Sequence, residues 1–219
     1  MVTINYPNDY FKNYIEYISN ICHKKKLSLI LKGSLANGSA KKHSDIDLII
    51  LGSTRSNDID QIISEYSIPV MTNFTERPKG SLILIYRNNL SIDLDIKQTI
   101  TADELNDSVI LQKFDNNFIL AKEIIRMKVE SFYLPNRPQW YKILRLIHKS
   151  LLKQLCNKTE NALDLLQEIK SSLKSIGINN LKYKNDFQQD IIHIFKEICN
   201  KYTVEPDIKI LYKNLFNEL

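Results

Sequence analysis

The sequence predicts an α+β protein in two parts: a mixed β-sheet with flanking helices over residues 1–124, then an all-helical bundle over residues 125–219. Two observations carry this. Short apolar runs bounded by turn residues crowd the first part, at Leu27–Leu31, Leu48–Leu51, Ser81–Tyr86 and Leu90–Lys97, as strands do. After about Ile124 these runs vanish and apolar residues recur at three- and four-residue steps, as on helices that bury one stripe.

The elements follow in order. Asn8 can cap a helix running to Lys26, because Phe11, Tyr14, Ile15, Ile18, Ile21 and Cys22 fall on one face. At its end, His23-Lys24-Lys25-Lys26 reads either as a solvated cap favoured by the helix dipole or as a phosphate clamp. Leu27–Leu31 is a buried strand stopped by Gly33-Ser34, and Asp45-Ile46-Asp47 opens a second strand through Leu51. Ser56-Asn57-Asp58 starts a short helix to Tyr66. Ile68–Phe74 reads as a strand with Pro69 near its start, and Glu76–Gly80 as turn material. The runs Ser81–Tyr86 and Leu90–Lys97, joined across Arg87-Asn88-Asn89, make an antiparallel hairpin. Asp103–Lys113 is expected to be helical, with Phe114–Leu120 breaking it. Four helices follow, over Pro138–Leu155, Thr159–Ile176, Asn185–Tyr202 and Pro206–Leu219, with Thr159 of N-cap type and Gly177 a natural stop.

Composition sets the outer limits. A chain of 219 residues can bury a sizeable core, and 43% hydrophobic with 25% charged residues is ordinary for a globular protein. The net charge of +5 suits an anionic partner such as a nucleoside triphosphate or RNA. No apolar run is long enough for a membrane span, and the first residues lack a secretory pattern. Cys22, Cys156 and Cys199 are odd in number, far apart and without metal-ligand spacing, which implies reduced thiols in a cytoplasmic protein.

The chemistry concentrates between Leu27 and Leu51. Alternate side chains of a strand share a face, so Asp45 and Asp47 point one way while Ile46 and Leu48 point into the core. Two carboxylates on one face repel unless a cation sits between them. A divalent metal is the favoured cation: Mg²⁺ takes one or two carboxylates plus phosphate oxygens of a substrate. Gly33-Ser34 supplies backbone N–H groups and a hydroxyl for those phosphates. A lone DxD would equally suit two solvated acids on an edge strand; the combination with GS, each half preceded by an apolar strand, is more specific.

Gly33, Ser34, Asp45 and Asp47, spaced GS-x10-DxD, resemble the signature of the DNA polymerase β-like nucleotidyltransferase superfamily. The first part would then be a nucleotidyltransferase domain that transfers a nucleoside monophosphate to an acceptor hydroxyl. The resemblance implies two Mg²⁺ ions (or Mn²⁺) about 3.5–4 Å apart, held by Asp45, Asp47 and a third acid on a neighbouring strand. On Leu90–Lys97, the face opposite Leu90, Ile92, Leu94 and Ile96 carries Ser91, Asp93, Asp95 and Lys97. Asn89-Leu90-Ser91-Ile92-Asp93-Leu94 looks like the turn-then-IDL pattern of aminoglycoside 6-adenylyltransferases, which gives the third role to Asp93 and leaves Asp95 as its rival. Asp93 would also take the acceptor's proton. Gly33 and Ser34 would hold the β- and γ-phosphates, and Ser39, Lys41, Lys42 and His43 border that loop as further nucleotide contacts.

Within the superfamily the size and the IDL strand look most like small antibiotic (aminoglycoside or lincosamide) nucleotidyltransferases, with AMP as the transferred group. The alternatives are a toxin or antitoxin component that modifies tRNA or a partner protein, and a non-catalytic nucleotide-binding module, against which three converging acids argue. In the helical part, Tyr141, Arg145, His148 and Lys149 read either as a basic lining of the substrate cleft or as a solvated stripe with one core-edge histidine. Trp140 reads as a packing anchor rather than a stacking platform. Arg145 and His148 are too close in sequence for a HEPN-type nuclease motif. Acids (Glu160, Asp164, Glu168) and bases (Lys142, Arg145, Lys149) both occur in the bundle, so the sequence leaves the acceptor open.

Overall fold

The computed structural model describes residues 4–76, 79–127 and 137–219. The chain divides into two compact units, Met1–Leu134 and Pro135–Leu219.

The first unit is built on a six-stranded sheet, in the order β3-β4-β5-β2-β1-β6. Its strands are β1 (Ser28–Lys32), β2 (Ile46–Leu51), β3 (Met71–Glu76), β4 (Lys79–Ile85), β5 (Ser91–Lys97) and β6 (Val109–Gln112). Neighbours pair antiparallel except β2 and β5, which run parallel. A parallel pair needs a crossover. Here helix α3 (Ser56–Ser64) and the β3–β4 pair make it.

Helix α1 (Asp9–Lys24) starts where expected, since Asn8 Oδ1 accepts from the N–H groups of Tyr10 (3.0 Å) and Phe11 (3.3 Å). It ends at Lys24, and Lys26, two residues on, breaks the helical path with a φ of 55°. The apolar stripe of α1 and Ile59, Ile62 and Ile63 of α3 pack on Leu29, Leu31, Ile46, Leu48, Ile50, Ile92, Leu94 and Ile96. All are buried, and each such side chain removed from water contributes about 1.5–3 kcal/mol. This face of the sheet holds the main core. The opposite face has a much thinner apolar cover: Ile30, Ile49, Leu51 and Ile100, with Leu105 and Phe118 against them. That face also carries the buried Met71, Ile83 and Ile85 on β3 and β4, and the charged Lys32, Asp47, Asp93, Asp95 and Lys97.

The structure corrects one element. In place of a helix over Asp103–Lys113 there is a short helix α4 (Ala102–Asn106) followed by β6. Thr101 and Glu104 cap α4 reciprocally, the Glu104 N–H donating to Thr101 Oγ1 at 3.3 Å. After Asp107 and Ser108 the chain turns extended, and Val109 and Ile110 pair with Leu31 and Ile30 on the open edge of β1. A five-residue helix has little stability of its own, so the free sheet edge decides the conformation. β3 starts three residues later than expected and leaves Ile68 exposed. The expected turn at Arg77-Pro78 lies outside the described residues. The β4–β5 hairpin forms as read, with Asn89 at φ 62° in its turn. Residues 125–127, which the sequence assigns to the helical part, run beside β5: Gln98 N donates to Ile125 O (2.8 Å) and Met127 N to Ile96 O (3.0 Å).

The second unit contains α5 (Gln139–Leu155), α6 (Thr159–Ser172), α7 (Phe187–Lys201) and α8 (Pro206–Phe216) among the described residues. Thr159 is the first residue of α6 rather than its cap, a position held by Lys158. Gly177 closes the 3₁₀ turn after α6 at φ 67°. Asp190, on α7, is buried and bound by the Lys170 ammonium (2.8 Å) and the Lys184 N–H (2.7 Å). Trp140 stacks on Tyr202 with centroids 5.5 Å apart, a packing role. Tyr141 and His148 are buried, while Arg145 and Lys149 are half-buried, so the four do not form one solvent-facing basic lining. No helix among the described residues is long and apolar enough to cross a membrane.

Candidate active site

The site grows out of the ends of three adjacent strands. β1 and β2 are antiparallel with Lys32 opposite Asp47, and β2 and β5 are parallel with Asp47 opposite Asp93. Directly opposed residues share a face with β-carbons about 4.5–5.5 Å apart. Asp47 therefore lies between Lys32 on one side and Asp93 on the other. Asp45 stands one strand repeat earlier, just before β2 begins. All three acids are half-buried.

Gly33 follows β1 and opens the short helix α2 (Gly33–Ala36) with φ at 66°. A β-carbon built there would stand 2.2 Å from Asp47 Oδ2. The absence of a side chain thus lets the backbone turn against the Asp47 carboxylate. This is a physical link between the two halves of the GS and DxD pattern. Ser34 is half-buried on the same turn, and the leading N–H groups of a helix lack intrahelical acceptors. Ser39 is exposed and tied to its own loop, its hydroxyl donating to Asn37 Oδ1 (2.6 Å) and its N–H to Ser34 O (2.9 Å). Lys41 and Ser44 brace each other, with the Lys41 N–H donating to Ser44 Oγ at 2.9 Å. Lys42 is exposed and His43 half-buried on that loop. Asp45, Asp47, Asp93, Lys41, Lys42 and His43 each interact with neighbouring groups.

Asp95 sits in a different environment. Its carboxylate binds the Lys97 ammonium (2.8 Å) and the Arg126 Nε (3.2 and 3.3 Å). Lys97 also bonds Glu104 on α4, and its side chain is only 1% exposed. Burial pushes the Glu104 carboxyl up, but the hydrogen bond and charge of Lys97, with a contribution from Lys32, hold it below the usual range. Asp95, Lys97, Glu104 and Arg126 form a balanced ion network that fastens α4 and residue 126 to β5. The sequence placed Lys97 on this face but gave no sign of its burial, since a lysine at a strand end normally reaches solvent. Arg126 and Lys32 were missed altogether; only strand pairing brings them here.

Among the described residues, no group of three or more His, Cys, Asp or Glu side chains forms a cage that could hold a metal ion by itself.

No curated protein and no solved structure matches the chain. Residues 15–120 do match a family model, that of the nucleotidyltransferase domain. The matched span takes in most of α1, all six strands, Gly33 and the acids on β2 and β5. Over residues 15–120 the chain is thus similar to the nucleotidyltransferase domain of the polymerase β-like superfamily, and it carries that stretch in an α+β chain whose later part is helical.

Proposed function

We propose that the protein is a Mg²⁺-dependent nucleotidyltransferase that moves a nucleoside monophosphate, AMP by preference, from a nucleoside triphosphate to an acceptor hydroxyl. The observation that carries this reading is the placement of Asp47: opposite Asp93 on a parallel strand, and against the glycine that turns the chain into Ser34.

The donor set fits Mg²⁺ or Mn²⁺. Carboxylate oxygens are hard ligands, and Mg²⁺ typically takes one or two of them and completes its shell with water and substrate phosphate. Such a site needs no closed protein cage. Asp45, Asp47 and Asp93 would hold the ions, which when bound supply Lewis-acid neutralisation of the phosphate charge.

The chain's own residues account for the rest. Ser34 and the backbone N–H groups of its turn bind the β- and γ-phosphates, and Lys42 and His43 border them. Asp93 takes the proton of the acceptor hydroxyl as its oxygen bonds to the α-phosphorus. The bond from that phosphorus to the bridging oxygen breaks, and pyrophosphate leaves. Asp95 is the weaker candidate for the third acid, because Lys97 and Arg126 already neutralise it.

The likeness of Leu90–Leu94 to the IDL strand supports a small-molecule acceptor such as an antibiotic. The net charge of +5 favours a second reading, in which tRNA or a partner protein is modified. Incubation with labelled ATP, CTP, GTP or UTP and Mg²⁺, with aminoglycosides, lincosamides and total tRNA offered in parallel, separates these. Label should move to one acceptor and should stop in Asp45→Asn plus Asp47→Asn with the fold retained. Transfer that survives this double substitution sinks the assignment.

A further inference from the structure

Among the described residues, the face that carries the acids also carries the cations Lys32, Lys97 and Arg126, whose surroundings differ. Lys97 is buried and spent on Asp95 and Glu104. Arg126 is spent on Asp95. Lys32 ends β1, half-buried, immediately before Gly33 and directly opposite Asp47. Its charge reaches Glu104 as well. Lys32 therefore stands beside the acid that anchors the site, on a strand rather than on the loop that bears Lys41 and Lys42.

Resting on the nucleotidyltransferase reading, we propose that Lys32 is a substrate-binding residue, whose ammonium contacts the triphosphate of the bound nucleotide. Without ligand, the cation balances the negative charge that Asp47 and Asp93 place side by side. A divalent ion arriving at these acids takes over that balance and repels Lys32 at short range. The stable partner for a displaced ammonium next to a metal is the anion both can share, a phosphate oxygen. The adjoining Gly33-Ser34 turn offers N–H groups to that same anion. Lys32 and the turn are consecutive in the chain, so a single rigid strand end would aim both at the phosphates.

The inference makes opposite demands on two ligands, which a purely structural role would not. Removing the charge weakens binding of the metal–nucleotide complex and strengthens binding of the metal alone. Calorimetry on the full chain can measure Mn²⁺ alone, then Mg²⁺ with ATP, CTP, GTP and UTP, for wild type, Lys32→Met, Lys32→Gln and Lys32→Arg. For the nucleotide that wild type binds most tightly, Lys32→Met and Lys32→Gln should lose about tenfold in affinity, the worth of a charged hydrogen bond. Mn²⁺ should bind both roughly three- to tenfold more tightly. Lys32→Arg should stay near wild type for both ligands. The deciding quantity is the ratio of nucleotide to Mn²⁺ affinity within each variant, which partial unfolding leaves unchanged. A ratio in the neutral variants that equals or exceeds wild type overturns the role of Lys32 and leaves the transferase reading standing. Failure of wild type to bind any of the four nucleotides overturns both.

Discussion

Gly33 and Asp47 compete for one volume: a β-carbon on the first would lie 2.2 Å from a carboxylate oxygen of the second. The backbone of Gly33 is also left-handed, with φ at 66°. Gly33→Ala therefore strains the turn and displaces the acid together. It should destabilise the fold by about 1–3 kcal/mol and lower nucleotide transfer by about 100-fold, the usual effect of misplacing a reacting group by an ångström. Gly38→Ala is the control. Gly38 has φ at 76°, but an added β-carbon meets nothing within 4 Å. It should cost about 1 kcal/mol in thermal unfolding and leave transfer within a few-fold of wild type.

The two acids of β5 should separate by phenotype. Asp93→Asn should abolish transfer with a melting temperature close to wild type. Asp95→Asn takes one partner from Lys97 and Arg126, and should cost about 2–4 kcal/mol in urea unfolding. Transfer that Asp95→Asn eliminates in a fully folded protein, while Asp93→Asn retains it, would reverse the assignment.

Among the described residues, Lys97 is the most buried cation of the first unit, its side chain 1% exposed. Lys97→Met keeps most of its volume and leaves Asp95 and Glu104 facing each other without the ammonium. About 3–5 kcal/mol of stability should be lost, read as a lower urea midpoint. The triple variant with Asp95→Asn and Glu104→Gln should recover much of it, because the one charge then left without its partner, Arg126, is partly exposed to water.

Acid should unfold the protein through identifiable pairs. The Lys25 hydrogen bond lowers the Asp58 carboxyl, with burial opposing. Burial raises Glu104 and Asp190, and their bonds to Lys97 and Lys170 outweigh it, so both end below their usual values. A depressed carboxylate binds its proton more readily in the unfolded chain, so folding is favoured fully above the ordinary values of 3.8 for Asp and 4.5 for Glu. That stability disappears as pH falls through the lower folded-state values. Urea midpoints should hold level from pH 7 to about 5 and drop steeply below about 4. Lys25→Gln should flatten part of the drop.

Much of the sheet was legible because short apolar runs bounded by turn residues mark its strands. Asp45 and Asp47 could be placed on one face by parity, Asp93 was joined to them only through the resemblance of its strand, and Asn8 announced the first helix through its capping chemistry. β6 was not legible. Val109–Gln112 follows a sound helix start, and only the unpaired edge of β1, itself a tertiary feature, makes it a strand. The same limit hid Lys32 and Arg126. Their sequence neighbours say nothing of Asp47 or Asp95; pairing across strands supplies those contacts. Lys97 failed for another reason, since a lysine sinks from solvent only where carboxylates are waiting.

The parallel union of β2 and β5 also has a kinetic side. Its partners are separated in the chain by α3 and the β3–β4 pair, so the acids meet only after a long loop has closed, a step that slows folding. A nascent chain that has emerged as far as β4 already displays GS and DxD but lacks the strand that completes them. Competence for the reaction then arrives late and all at once. A ligand bridging Asp47 and Asp93 would pin together two strands that are distant in sequence, and so should prolong the lifetime of the whole first unit.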